Sequence, residues 1–184
     1  MKRTFLLGAG LLITLAACSG SMSPDEYVEG LNDLVATAAP DLEASVVAYE
    51  QIADPTMADW AAFVDREIAI RRVFVDGFDA LDPPDSVAEV HRLFDDALDR
   101  GLAAAEALAA IADTASSPEE AQQTTEFAEY QDANTDGSSR VCRDALAKLD
   151  ELAASSEAFA DEPWISGLAL TVRTGFGCIE AETG

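Results

Sequence analysis

Ser86 to Ile111 reads SVAEVHRLFDDALDRGLAAAEALAAI, and this stretch decides the fold. Val87, Val90, Phe94, Leu98, Gly101, Ala105, Leu108 and Ile111 recur at spacings of three and four, which places them on one face of a helix. Ser86 and Glu89 are spaced as a cap pair at its start. Gly101, Ala104 and Ala105 are small enough to admit a neighbouring helix closely. A ribbon this long and regular predicts a helix packed along its whole length against other helices.

The chain on either side repeats the pattern. Asp82-Pro83-Pro84 stops a preceding helix opened by Asp54-Pro55-Thr56, with Thr56 and Asp59 as cap pair. Its core face runs Trp60, Val64, Glu67, Ile70/Arg71, Phe74, Phe78, Leu81. Glu67 and Arg71 sit four apart on this face. They form either a ligand site or an ion pair at the core's edge with snorkelling side chains, and the second use is the commoner one. Further upstream, Ser23-Pro24-Asp25-Glu26 combines a capping serine, a first-turn proline and a glutamate that completes a capping box. Tyr27, Leu31, Leu34, Val35 and Ala38 follow on one face. Pro40 should kink or break that helix, and the stripe resumes at Leu42, Val46, Tyr49 and Ile52.

Downstream, Ser117-Pro118-Glu119-Glu120 starts a polar helix to about Tyr130. A loop follows, then a helix from about Ser139 to Ala160 with the stripe Cys142, Ala145/Leu146, Leu149, Leu152/Ala153, Ser156 and Phe159. Residues 163–178 read two ways. Leu168, Leu170 and Val172 alternate as in a strand, whereas Ile165, Leu168 and Val172 suit a short helix ended by Gly175. A lone strand has no partner in a helical chain, so the helix is preferred. The expected fold is all-α: a bundle of four to five helices with a disulfide-tied C-terminal segment.

Composition narrows the partners. The chain has 184 residues and a net charge of −24, from 35 acidic and 11 basic residues. Such a surface repels nucleic acid and anionic lipid headgroups. Solvation and self-repulsion account for the acidity, and cation binding, a basic partner or a saline habitat are the alternatives.

Lys2 and Arg3 precede an apolar run from Phe5 to Leu15, and Leu15-Ala16-Ala17-Cys18 closes it. The arrangement resembles a bacterial lipoprotein signal peptide with its lipobox. The apolar run falls short of the roughly 17–25 residues that span a bilayer. The resemblance implies a signal peptide over 1–17 and a lipidated Cys18 as mature N-terminus. A short tether over 18–22 follows, then one acidic domain over 23–184. It also implies an extracytoplasmic, membrane-anchored protein, with acyl chains such as palmitate holding it at the cell membrane. Losing Lys2 and Arg3 leaves nine basic against 35 acidic residues, a net charge near −26. With Cys18 lipidated, Cys142 and Cys178 remain as an even pair in an oxidising compartment, and a disulfide is expected. Leu81-Asp82-Pro83-Pro84 followed by His91 is similar to a loose pattern in helical lipoproteins of actinobacteria, over about residues 60–110. That resemblance implies a helical extracytoplasmic fold and no activity.

Little in the chain proposes catalysis. His91 is the only histidine, with Asp95 one turn on, and reads as structural. Zinc sites want more Cys and His, and ferritin-like dimetal bundles carry Glu-x-x-His twice. Nucleophile elbows, phosphate loops and dinucleotide glycine patterns are lacking. Were there a pocket of convergent carboxylates, Glu67, His91 and Asp95 would be the residues to inspect. Asp132-Ala133-Asn134-Thr135-Asp136-Gly137 resembles the first half of an EF-hand calcium loop. By that resemblance Asp132, Asn134 and Asp136 are calcium ligands and Ser138 offers a carbonyl, but Arg143 stands where the bidentate glutamate belongs. An ordinary turn has the same composition. The expected function is a non-catalytic binding or envelope-structural domain, taking a small ligand or an envelope protein. A calcium-binding module is the alternative.

Overall fold

The computed structural model describes residues 21–155, 163–175 and 178, and the lipobox, Ser156 and Phe159 lie outside them. Seven helices occupy these residues: α1 (Pro24–Glu50), α2 (Met57–Asp79), α3 (Ala88–Ala109), α4 (Pro118–Ala121), α5 (Thr125–Asn134), α6 (Asp136–Ala154) and α7 (Pro163–Gly175). A 3-10 turn, Ala110–Asp113, follows α3. The described residues contain no strand, and the fold is the expected all-α bundle. Residues 163–175 take the helical alternative. Leu168 and Val172 are buried while Leu170 points to solvent, which helical and not strand geometry produces.

Local chemistry sets most helix starts. Ser23 and Glu26 exchange bonds at α1: Ser23 N–H donates to Glu26 Oε2 at 2.8 Å, and Glu26 N–H to Ser23 Oγ at 3.3 Å. Thr56 and Asp59 do the same at α2. α3 departs from expectation. Ser86 does not cap it, because the buried Val87 N–H bonds Pro84 O at 2.9 Å in a tight turn and the helix begins after Val87. The polar helix expected from Ser117 to Tyr130 is two helices. Thr124 Oγ1 donates to Ala121 O at 2.7 Å, ending α4, and accepts from Phe127 N–H at 3.2 Å, starting α5. Pro40 lies inside an unbroken α1. Proline there removes the bond to the Ala36 carbonyl, but both residues are exposed, so water can satisfy that oxygen.

α1, α2 and α3 run up, down and up as neighbours. α5 and α6 pack on α3, and α7 packs on α1 and α6. The core has two parts. One gathers Tyr27, Leu31, Phe78, Val90, Phe94, Leu149, Leu168 and Val172 at the end where α1 begins. The other gathers Trp60, Val64, Ile68, Ala105, Leu108 and Ala121 at the far end. Cys142 and Cys178 form a disulfide, Cα–Cα 5.2 Å, that ties the end of α7 to the start of α6. Met22 N–H donates to Asp82 O at 2.9 Å, and the Met22 side chain packs on the first core. Met22, expected in the tether, is thus part of the packed structure.

Candidate functional site

Between the two cores lies a pocket of about 200 Å³. Its lining comes from Val35, Ala38 and Leu42 of α1, Ile70, Phe74 and Val75 of α2, Phe94, Leu98 and Gly101 of α3, and Val141 with Cys142 of α6. It exists because several helices present small residues at one level: Ala38 and Ala39, Ala97 and Gly101, and Ala133. The spacing around Gly101 suggests close helix contact, yet no backbone comes near it. A Cβ there would first meet Arg71 Nη1, at 3.7 Å. The glycine makes room for a guanidinium and for the pocket.

Arg71 is the charged residue of this lining, and Asn134 accompanies it. Arg71 Nη2 is 3.5 Å from Glu67 Oε2 and 3.4 Å from the Tyr130 hydroxyl. The hydroxyl donates to Glu67 Oε2 at 3.3 Å, and the guanidinium carbon sits 5.6 Å from the centre of the Tyr130 ring. Glu67 is only 5 % exposed. The expected ion pair at the core's edge is instead a carboxylate inside the core, reached by a half-buried arginine and by a tyrosine from α5. Burial raises the Tyr130 phenol above its usual range, so it stays protonated and donates. The contacts are long, and Glu67 Oε1 and Arg71 Nε are buried without a hydrogen-bond partner among the described residues. Buried polar groups are nearly always paired, so two bare atoms in one network mark it out.

His91 belongs to a separate site in the first core. Its ring stacks on Phe78, centroids 4.3 Å apart, and Nδ1 lies 3.0 Å from the Tyr27 hydroxyl. Burial lowers the His91 pKa, with Asp79 pulling the other way, and burial pushes the Tyr27 phenol up. The imidazole Nδ1 and the Tyr27 hydroxyl thus share one hydrogen bond. Asp95 pairs with Asp79, and its pKa is raised by burial and by that neighbour. Asp79 thus neighbours both His91 and Asp95, whereas Glu67 belongs to the cluster with Arg71 and Tyr130.

The EF-hand-like stretch is helix rather than open loop. Asp132 and Asn134 fall in the last turn of α5, and α6 begins at Asp136. Asp132 faces Arg140 at 3.7 Å, and Asn134 Nδ2 donates to Tyr130 O at 2.6 Å. The side chains of 136–139 lie outside the described residues. Among the described residues, no three His, Cys, Asp or Glu side chains gather as a metal would require. Ala133 and Val141 also border a wider charged depression of about 660 Å³, where Arg100 and Arg140 lie among Asp96, Glu129, Asp132 and Asp144. No helix of the described residues is long and apolar enough to cross a membrane. No protein-family model, curated protein or solved structure matches the chain.

The sequence singles out Glu67 and Arg71 but not their partner Tyr130, nor the pocket beside them. Tyr130 comes from a helix with a thin apolar face, and nothing local announces its contact with α2.

Proposed function

We propose that the protein is a lipid-anchored, extracytoplasmic binding domain, non-catalytic, whose pocket takes a small apolar molecule. The observation that carries this reading is the pocket itself. An apolar hollow with few polar groups is the usual form of a small-molecule site. A dry cavity of about 150 Å³ already admits benzene, so this one suits a ring with a short chain. Lipidation of Cys18 supplies the address. Four residue steps lead from it to the packed Met22, a reach of ~14 Å, which keeps the domain close to the membrane.

The experiment is a methyl-resonance titration with butylbenzene. Val35, Leu42, Val75 and Leu98 should shift, and Gly101→Leu, which adds a side chain at a lining position, should suppress the shifts. Absence of binding, or binding indifferent to Gly101→Leu, would overturn the pocket reading. The anchor has its own test: Cys18→Ala should move the protein from the membrane fraction to the soluble fraction. Retention of that variant at the membrane would refute the lipid anchor.

A further inference from the structure

We infer that the pocket selects an uncharged molecule with an apolar body and one hydrogen-bond-accepting oxygen, a carbonyl or ester, which takes a hydrogen bond from Arg71. The inference rests on the pocket reading above and specifies its ligand. Both partners of the guanidinium, Glu67 and Tyr130, gather on Nη2. Nε is sealed off by burial, whereas Nη1 is the nearest atom to the position a Cβ on the pocket-lining Gly101 would take. Arginine carries five N–H donors and remains charged. It therefore brings hydrogen-bonding capacity to an otherwise aliphatic and aromatic lining.

Charge decides which oxygen fits. Glu67 already balances Arg71 and is itself 5 % exposed. A ligand carboxylate would place a second negative charge beside Glu67 in a poorly solvated space, with one guanidinium between them. Like charges sharing such a site oppose ionisation. The chain's net charge of −24 adds a long-range repulsion of anions. A neutral carbonyl meets neither penalty and can accept a hydrogen bond from Nη1, the guanidinium atom beside the pocket-lining Gly101. A pure hydrocarbon makes no hydrogen bond to the guanidinium and forgoes that contribution.

Three probes of nearly one shape separate these cases. Butylbenzene has no oxygen, benzylacetone has one neutral carbonyl, and hydrocinnamate replaces the ketone methyl with a carboxylate oxygen. Their affinities for the full-length protein are read by the same resonance titration. Benzylacetone should bind about tenfold more tightly than butylbenzene, as a hydrogen bond to a charged donor implies, and more tightly than hydrocinnamate. Removing Arg71 alone would strand Glu67, so the variant to use is the pair Arg71→Met with Glu67→Gln. In it the ratio of benzylacetone to butylbenzene affinity should fall from about ten to about one. Equal affinity for butylbenzene and benzylacetone overturns the inference but leaves the pocket reading intact. Binding of none of the three overturns both. Tighter binding of hydrocinnamate than of benzylacetone, or a ketone preference that survives in the double variant, also overturns the inference.

Discussion

Ser45 shows how a single buried atom can work against the fold. It is 2 % exposed on α1, and its hydroxyl has no partner among the described residues. Past Pro40 the buried face of α1 moves off the expected line: Val46 is exposed and Ser45 is turned inward. Ser45→Ala removes an unpaired polar atom and improves helix propensity. It should stabilise the protein by ~1 kcal/mol, raising Tm by about 2–4 °C, and an unchanged or lower Tm would show that the hydroxyl is satisfied. His91 acts at the same scale but through pH. Burial holds its folded pKa below the ordinary imidazole value of 6.5. The unfolded chain therefore binds the extra proton first, and His91's contribution, present above the unfolded pKa, is lost as pH falls through that value towards the folded one. Asp79 and Asp95 face the same region, and the raised Asp95 pKa works the other way at lower pH. Comparing wild type with His91→Gln isolates the histidine. The variant should lose less stability between pH 7.5 and 5.5, and parallel losses would refute the assignment.

At the scale of helices, legibility followed the range of the interactions involved. Ser23 and Thr56 were readable because a cap and its partner lie three residues apart. Ser86 looked the same but was overruled by the burial of Val87, a tertiary demand. The stretch from Asp132 to Gly137 carries turn residues, yet Asn134 and Thr135 spend their side chains on carbonyls one helical turn back: Asn134 on Tyr130 O at 2.6 Å, Thr135 on Gln131 O at 2.7 Å. That bonding lets α5 run almost directly into α6. The pocket could not be read at all, because it depends on which small residues of several helices share a level. The disulfide could be, by parity of cysteines, and its place adds a consequence. Cys142 lines the pocket, so the bond that holds α7 also fixes a pocket wall. Replacing both cysteines with serine frees a link across 36 residues. The chain-entropy model gives a loss of ~4 kcal/mol, or about 10 °C in Tm. Butylbenzene affinity should fall with it, and a variant that loses stability while keeping full affinity would separate the bond from the pocket.

For the whole molecule, the charge balance sets the response to salt. Most proteins with surface ion pairs lose a little as salt screens attraction. Here the described pairs are few, and all but Glu67–Arg71 are largely exposed, where each is worth about 0–1 kcal/mol. Against them stands a net charge of −24. The helix ends add to the repulsion. No basic residue occupies the last turn of α1, α2, α3 or α6, and α1 and α2 end on Glu50 and Asp79, which oppose the negative end of the helix dipole. Screening should therefore relieve more than it removes. Raising sodium chloride from about 10 mM, where the Debye length is ~30 Å, to about 1 M, where it is ~3 Å, should raise Tm. A fall in Tm would mean that the exposed ion pairs outweigh the repulsion. The same measurement separates screening from a specific calcium site. At matched ionic strength, calcium can gain over sodium through ligands of its own or through a divalent ion's stronger diffuse attraction to an acidic surface. A gain that Asp132→Ala abolishes would assign them to the α5–α6 junction, whereas a gain that survives that change would be diffuse attraction to an acidic surface.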